Sequence, residues 1–231
     1  MYRYFDATQN FYYNTNIINI REMIKMTNLD IESFSKIFDN KSESYKLFWF
    51  KSILNKVVND EKIISYDSLV NEMISEVWKP VTKYNLSLGQ KDSLELVTRL
   101  IYSNSSLNMD EDKDTVLEFL SKYYNDEVFK YKNTIIRFVP YRLLAPFVPE
   151  IKGERWRISK DILFEILNDK ENVLYYFGDY NGLQTHIFIN DNWFRCMREH
   201  KDIIYRWINL NILNYLQKCN CDKNVSSEML K

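Results

Sequence analysis

Among the 231 residues there are only two histidines, His186 and His200, with Asn192 between them. A histidine general base, an asparagine that holds an active loop and a second metal-binding side chain can build a metal-dependent nuclease on a hairpin and the helix after it. Here His186 falls inside the second strand pattern, and no acidic residue directly precedes it. His186, Asn192 and His200 therefore read first as strand and helix surface residues, with a cryptic metal-dependent nuclease as the alternative. Cys196, His200, Cys219 and Cys221 also carry metal-ligand chemistry. Structural zinc favours ligand pairs separated by two or more residues; Cys219 and Cys221 are separated by one, so no metal is expected. Phosphate-binding glycine motifs and a G-x-S-x-G elbow are absent from the sequence. No complete catalytic centre stands out, so enzymatic activity is left open and no cofactor is expected.

A second kind of chemistry lies between Val128 and Lys160. Eight cations fall there, Lys130, Lys132, Arg137, Arg142, Lys152, Arg155, Arg157 and Lys160, against Glu150 and Glu154 alone. Tyr131, Phe138, Tyr141, Phe147 and Trp156 are interleaved with them. Arginine and lysine neutralise phosphates, and aromatic rings stack on unpaired bases. The competing reading makes the aromatics core residues and the cations a solvated edge.

The elements that must hold these residues are mostly helical. Hydrophobic residues make up 45% of the chain and charged residues 27%, enough to build a sizeable core. Glycine and proline number 4 each, too few for a sandwich that turns every ten residues or so. The net charge of −1 leaves nucleic-acid binding to a local patch. Three cysteines imply no disulfide framework and suit a reducing cytoplasm. The opening MYRYFDATQNFYYN lacks a basic stretch followed by an apolar one, so no signal peptide is expected. No apolar run is long enough for a membrane span.

Residues 1–16 read as a loose arm. Helical spacing follows over Ile17 to Met26 and over Leu29 to Phe38, the latter capped by Asp30. The segment after Ser42 and Ser44 is apolar nearly all round, which predicts a central buried helix. Further helices are expected up to Pro80, which should stop one, from Asp92, and from Met109 to Glu127. Val128 to Lys160 reads as an extended crossing segment and irregular loop. VLYYF and THIFI alternate across Asn181-Gly182 as a hairpin, and Ile203, Trp207, Leu210 and Leu213 suggest the buried face of a last helix. The expected fold is mainly α, about eight or nine helices with one small β-hairpin, α+β in the C-terminal third. The expected organisation is a helical domain over 1–127, a basic segment over 128–160 and a hairpin with helices over 161–231, or all of these as one domain.

Five segments in order resemble the helical region of bacterial HNH endonuclease-domain proteins: Ser44 to Leu54, Val77 to Val81, Leu86 to Asp92, Ile136 to Phe147 and Trp207 to Asn220. In that family an HNH nuclease module follows the helical region; here the chain ends at Lys231, so the resemblance implies a member without the module, and no catalytic residue carries over. It implies nucleic-acid processing, antiphage defence, and a DNA or nuclease partner. Tyr45, Lys46, Trp78, Pro80, Gly89, Gln90, Lys91, Pro140, Tyr141 and Arg142 match the segments, mostly as packing or turn residues, with Lys91 and Arg142 the better contact candidates.

The sequence reading is thus a non-catalytic DNA- or partner-binding region of an HNH-type nuclease system, in the cytoplasm and off the membrane. Its contacts are expected at Lys91, Lys130, Lys132, Arg137, Arg142, Arg155, Arg157 and Lys160. The alternative from a different class is an assembly module whose aromatic excess supplies interface anchors in an oligomer.

Overall fold

Asp30 opens the first helix, α1 (Ile31–Ser35), its carboxylate accepting from the Ser33 amide at 3.0 Å. The computed structural model describes residues 29–39, 44–151 and 157–230. The sequence-predicted arm, the helix over Ile17 to Met26, the Ser42 cap and the candidate Arg155 lie outside the described residues. The all-apolar segment forms α2 (Tyr45–Val58), whose Leu47, Phe48, Trp49, Phe50, Ile53, Leu54 and Val57 are all buried. Around it close α3 (Tyr66–Thr82), α4 (Ser93–Ser103), α5 (Lys113–Lys122), α6 (Asp126–Ile136), the single-turn α7 (Val139–Arg142), α8 (Lys160–Asn168), α9 (Asp191–Glu199) and α10 (Lys201–Cys219). One hydrophobic cluster runs from Leu29 to Val225. At its centre the rings of Phe34, Phe38, Phe50 and Trp207 meet at centroid distances of 4.8 to 6.0 Å.

Among the described residues three strands pack beside the helices: β1 (Ile63–Ser65), β2 (Tyr175–Phe177) and β3 (His186–Ile189), in the order β1-β3-β2 and antiparallel throughout. The expected hairpin is present as β2 and β3, but it gains a third strand from more than a hundred residues earlier. Its connection is no two-residue turn. Gly182–Gln184 forms a 3-10 turn, and Thr185 Oγ1 accepts from the Asn181 amide at 2.8 Å.

Several expected boundaries move for identifiable reasons. Helix α3 runs through Pro80 to Thr82, so this proline does not stop it, although it removes one ladder donor. The expected helix from Met109 to Glu127 is two. Asn125 starts the second by accepting from the amides of Glu127 and Val128 at 2.9 and 3.1 Å. The stretch after Val128 is therefore helical rather than extended. On α10 the buried face is Ile204, Trp207, Ile208, Asn211, Ile212, Tyr215 and Leu216, rotated from the expected one.

Three of the segments that carry the HNH resemblance meet at one junction. Asp92 caps α4 through the amides of Leu94 and Glu95 and accepts from Ser44 Oγ at 2.7 Å. Asn220 pairs with Ser87 through both backbone groups at 2.8 and 2.9 Å, and Tyr215 donates to the Leu88 carbonyl at 2.7 Å. These residues tie the start of α2, the loop before α4 and the end of α10 together.

A candidate nucleic-acid interface

Pro140 decides where the basic residues go. Continued as a helix, α6 would need an amide at Pro140 and would drive its ring into the Ile136 carbonyl. The helix stops at Ile136 instead, and α7 starts with Pro140 in its first turn, where a missing N–H costs nothing. Arg137 and Arg142 then stand on the two sides of the break, both exposed, with Phe138 between them. The guanidinium carbons lie 5.1 Å (Arg137) and 4.4 Å (Arg142) from the centre of the Phe138 ring.

Lys160, at the first position of α8, completes the group. Its ammonium is 5.8 Å from the Phe138 centroid and 3.7 Å from that of Tyr141. It donates to the Arg137 carbonyl at 3.2 Å and to the Tyr141 hydroxyl, which itself donates to that carbonyl. The open C-terminus of α6 is thus capped by a hydroxyl and a cation, as its dipole favours. Lys46, on the first turn of α2, belongs to the same field. Burial and then the charge of Arg142 lower its pKa, against a smaller opposite effect of Asp39.

Like charges roughly 8 Å apart repel by about 2 kcal/mol at an effective dielectric of 20. Among the described residues no carboxylate ion-pairs with Lys46, Arg137, Arg142 or Lys160. Burial first, and then Arg137 and Arg142, bring the Lys160 ammonium down to about 8. Burial pushes the Tyr141 phenol up to about 12, partly opposed by Arg142. An anion seated here would relieve all of these repulsions at once. Lys130 is exposed on the same face of α6, two turns or about 10 Å before Arg137.

The other expected contacts divide. Arg157 is exposed just ahead of α8. Lys91 is exposed at a turn with φ 58° next to the Asp92 cap, and it takes no part in the Phe138 cluster. Lys132 is corrected to a structural role. It is buried, with its ammonium 2.8 Å from Asp67 and 2.6 Å from Asn71, and it takes no part in the Phe138 cluster. Lys46 is the contributor that the sequence reading treats as packing; its partner Arg142 is almost a hundred residues away, and no local signal links them.

The histidines are not brought together. His186 lies on the exposed face of β3, whereas Asn192 and His200 sit at opposite ends of α9, about 12 Å apart along its axis. The Asn192 carbonyl oxygen already accepts from Arg195 at 2.8 Å. His200 is divided from Cys219 by the length of α10, about 28 Å. Burial pushes the Cys196 thiol up to about 11. Among the described residues no three histidine, cysteine or acidic side chains are grouped to hold a metal ion, and no described helix is long and apolar enough to cross a membrane.

Comparison of the chain with protein-family models, with curated proteins and with solved structures finds no match, so what it does is argued from this geometry.

Proposed function

We propose that the chain binds nucleic acid by its phosphates, through Arg137, Arg142, Lys160 and Lys46, and serves as the non-catalytic region of a nuclease system. The observation that supports this is the cation cluster around Phe138, which has no acidic partner among the described residues. A cluster kept at the cost of self-repulsion suits a ligand that supplies the missing charge. Among the described residues no carboxylate ion-pairs with these cations, unlike an ordinary solvated edge, where acids interleave. The nuclease-system part, with DNA as the ligand, antiphage defence as the setting and an HNH module as the partner, is supported only by the resemblance of the five segments.

Fluorescence anisotropy with a labelled oligonucleotide at rising salt tests the reading. Binding should weaken with salt, with a slope of about −0.7 per neutralised phosphate on a single strand. Arg137→Glu with Arg142→Glu should flatten that slope by roughly one to two units and weaken binding at least tenfold at low salt. Tight binding that ignores both salt and the double reversal would sink it.

A second reading, an interaction module with no nucleic-acid role, draws on a different face. Ile63, Phe188 and Tyr176 are in register across the sheet and form a row on its outer side, with Ile63 59% and Phe188 39% exposed. A second copy packed on this row would give a dimer on sedimentation that Ile63→Lys dissolves, with no retention of nucleic acid.

A further inference from the structure

Next to the cation cluster, on the neighbouring face of α6, a pocket of about 470 Å³ opens between the α5–α6 junction and the 181–184 turn. Its walls are aromatic. Tyr124 is 73% exposed and Phe129 46%, with ring centroids 6.3 Å apart. Tyr124 is held in place by a 2.8 Å hydrogen bond from its hydroxyl to Asp126. Asn181 and Gln184 lie on the rim. The floor carries the Lys132 ammonium and the Asp67 carboxylate, 2.8 Å apart. Asp67 keeps about a third of its side chain open, at 32%.

These groups select a ligand class. Two large exposed aromatics beside each other favour a flat ring that can stack on them. A carboxylate acceptor next to an ammonium donor suits a ring whose edge carries both donors and acceptors, as the pairing edge of a nucleobase does. An aliphatic chain would bury the ion pair without satisfying it, and a bare phosphate would meet the Asp67 charge. In a duplex those edges are already used and stacked inside, so only an unpaired base can enter. The pocket size suits one such group. Geometry links it to the phosphate site: Phe129 lies on α6 and Arg137 directly follows its last residue, about 12 Å further along its axis. Tyr180, next in sequence to Asn181 of the pocket, is exposed and has its ring 6.1 Å from Phe164 of α8, the helix that carries Lys160.

We infer that the Tyr124/Phe129 pocket takes one unpaired base of a single strand whose phosphates lie on the Arg137/Arg142/Lys160 cluster. The inference rests on the phosphate-binding reading and narrows it to single-stranded substrates.

The test uses the full chain and three labelled probes of equal length: a single-stranded DNA, the same strand with abasic sites through its central third, and a hairpin duplex. The native protein should bind the intact strand roughly tenfold more tightly than either of the others. Tyr124→Ala and Phe129→Ala, both at exposed positions, should each lose about tenfold on the intact strand and change little on the abasic one. Thermal melting of both variants verifies that they fold. Equal binding of intact and abasic strands, still weakened by Arg137→Glu with Arg142→Glu, would overturn the pocket assignment and leave the phosphate reading standing. Loss of affinity in the aromatic variants without any effect of charge reversal would overturn the phosphate reading and the shared strand while keeping a base site. No binding of any probe would overturn both.

Discussion

The ammonium of Lys160 stands 3.7 Å from the centre of the Tyr141 ring, within the field of the guanidinium groups of Arg137 and Arg142. Burial and those two arginines bring its pKa down to about 8, so the free protein is losing this charge just above neutrality. In the folded protein the charged form is disfavoured relative to the unfolded chain. Its destabilising effect is fully present below about 8 and fades as pH rises toward the unfolded value of 10.5. Phosphate binding works the other way, because it favours the charged form. Affinity for an oligonucleotide should therefore hold up to about pH 8 and fall by about three- to tenfold by pH 9. Lys160→Arg, which keeps its charge at any accessible pH, should abolish that fall. A flat pH profile for the native protein, or an unchanged one in the arginine variant, would remove Lys160 from the site.

A different set of charges, buried at Glu72 and Lys51, 9% exposed at the Glu76 side chain and 39% at that of Lys113, holds the helices together. Glu76 of α3 meets Lys51 of α2 at 2.7 Å and Lys113 of α5 at 2.6 Å, and it accepts from Asn55 at 2.8 Å. Glu72, one turn earlier, shares Lys113 and Asn55. Tyr205 of α10 closes the group by donating to the Asn55 carbonyl oxygen at 2.8 Å. Burial alone would push the Glu76 carboxyl up, but the two lysine charges and their hydrogen bonds outweigh it and hold it at about 2. Its folded pKa is depressed, so its stabilising effect is present above the ordinary 4.5 and is lost as pH falls through about 2. Glu76→Gln leaves the buried Lys51 without its carboxylate and should cost about 3–5 kcal/mol in urea unfolding at pH 7. A loss below about 1 kcal/mol would mean that the Glu76 carboxylate is not closed to water in solution.

How much of this was legible in the sequence depends on the range of the contacts. The apolar stripe of α2, the helix starts at Asp30 and Asp92, and the alternation of β2 and β3 are local patterns, and they form where the sequence places them. Strand β1 is only three residues long, and its pairing partner lies at His186 to Phe188, so nothing near it in the chain marks it as a strand. The basic stretch was readable as composition, but its residues could not be sorted. Lys132 and Arg137 are five apart on a helix whose existence the prolines disguised, and their burial differs because Asp67 and Asn71 arrive from α3. Lys46 and the paired rings of Tyr124 and Phe129 gain meaning only from folding. Each is an unremarkable residue until α7 or the 181–184 turn is brought beside it.

Gly89 holds its place at the junction by having no side chain. Its φ is 125°, where L-residues are strained, and a Cβ there would lie 3.0 Å from the Tyr215 hydroxyl. That hydroxyl is not free to move aside, because it donates to the neighbouring Leu88 carbonyl at 2.7 Å. Gly89→Ala should lower stability by about 1–3 kcal/mol, from backbone strain together with the displaced hydrogen bond. Tyr215→Phe removes both the clash and that hydrogen bond, so Gly89→Ala made in that background should cost only the backbone-strain part. Wild-type stability for Gly89→Ala in chemical denaturation would show that the loop before α4 has another conformation open to it.

Asp92 carries the same junction from the other side, and its ionisation works against the fold. Burial pushes its carboxyl up to about 6, although Ser44 and the amides of Glu95 and Leu94 all hydrogen-bond to it. A folded pKa above the unfolded 3.8 means that the charge disfavours folding at every pH above about 6, with relief as pH falls toward 3.8. The cap geometry itself needs only an acceptor oxygen, which an amide also provides. Asp92→Asn should therefore melt at or above the parent's temperature at pH 7, with the gap closing between pH 6 and 4 as the parent's carboxyl takes up its proton. Asp92→Ala removes the acceptor altogether and should cost about 1–2 kcal/mol, the usual worth of an N-cap. If the asparagine variant were as unstable as the alanine one, the charge and not the hydrogen bond would be what holds the start of α4 against Ser44.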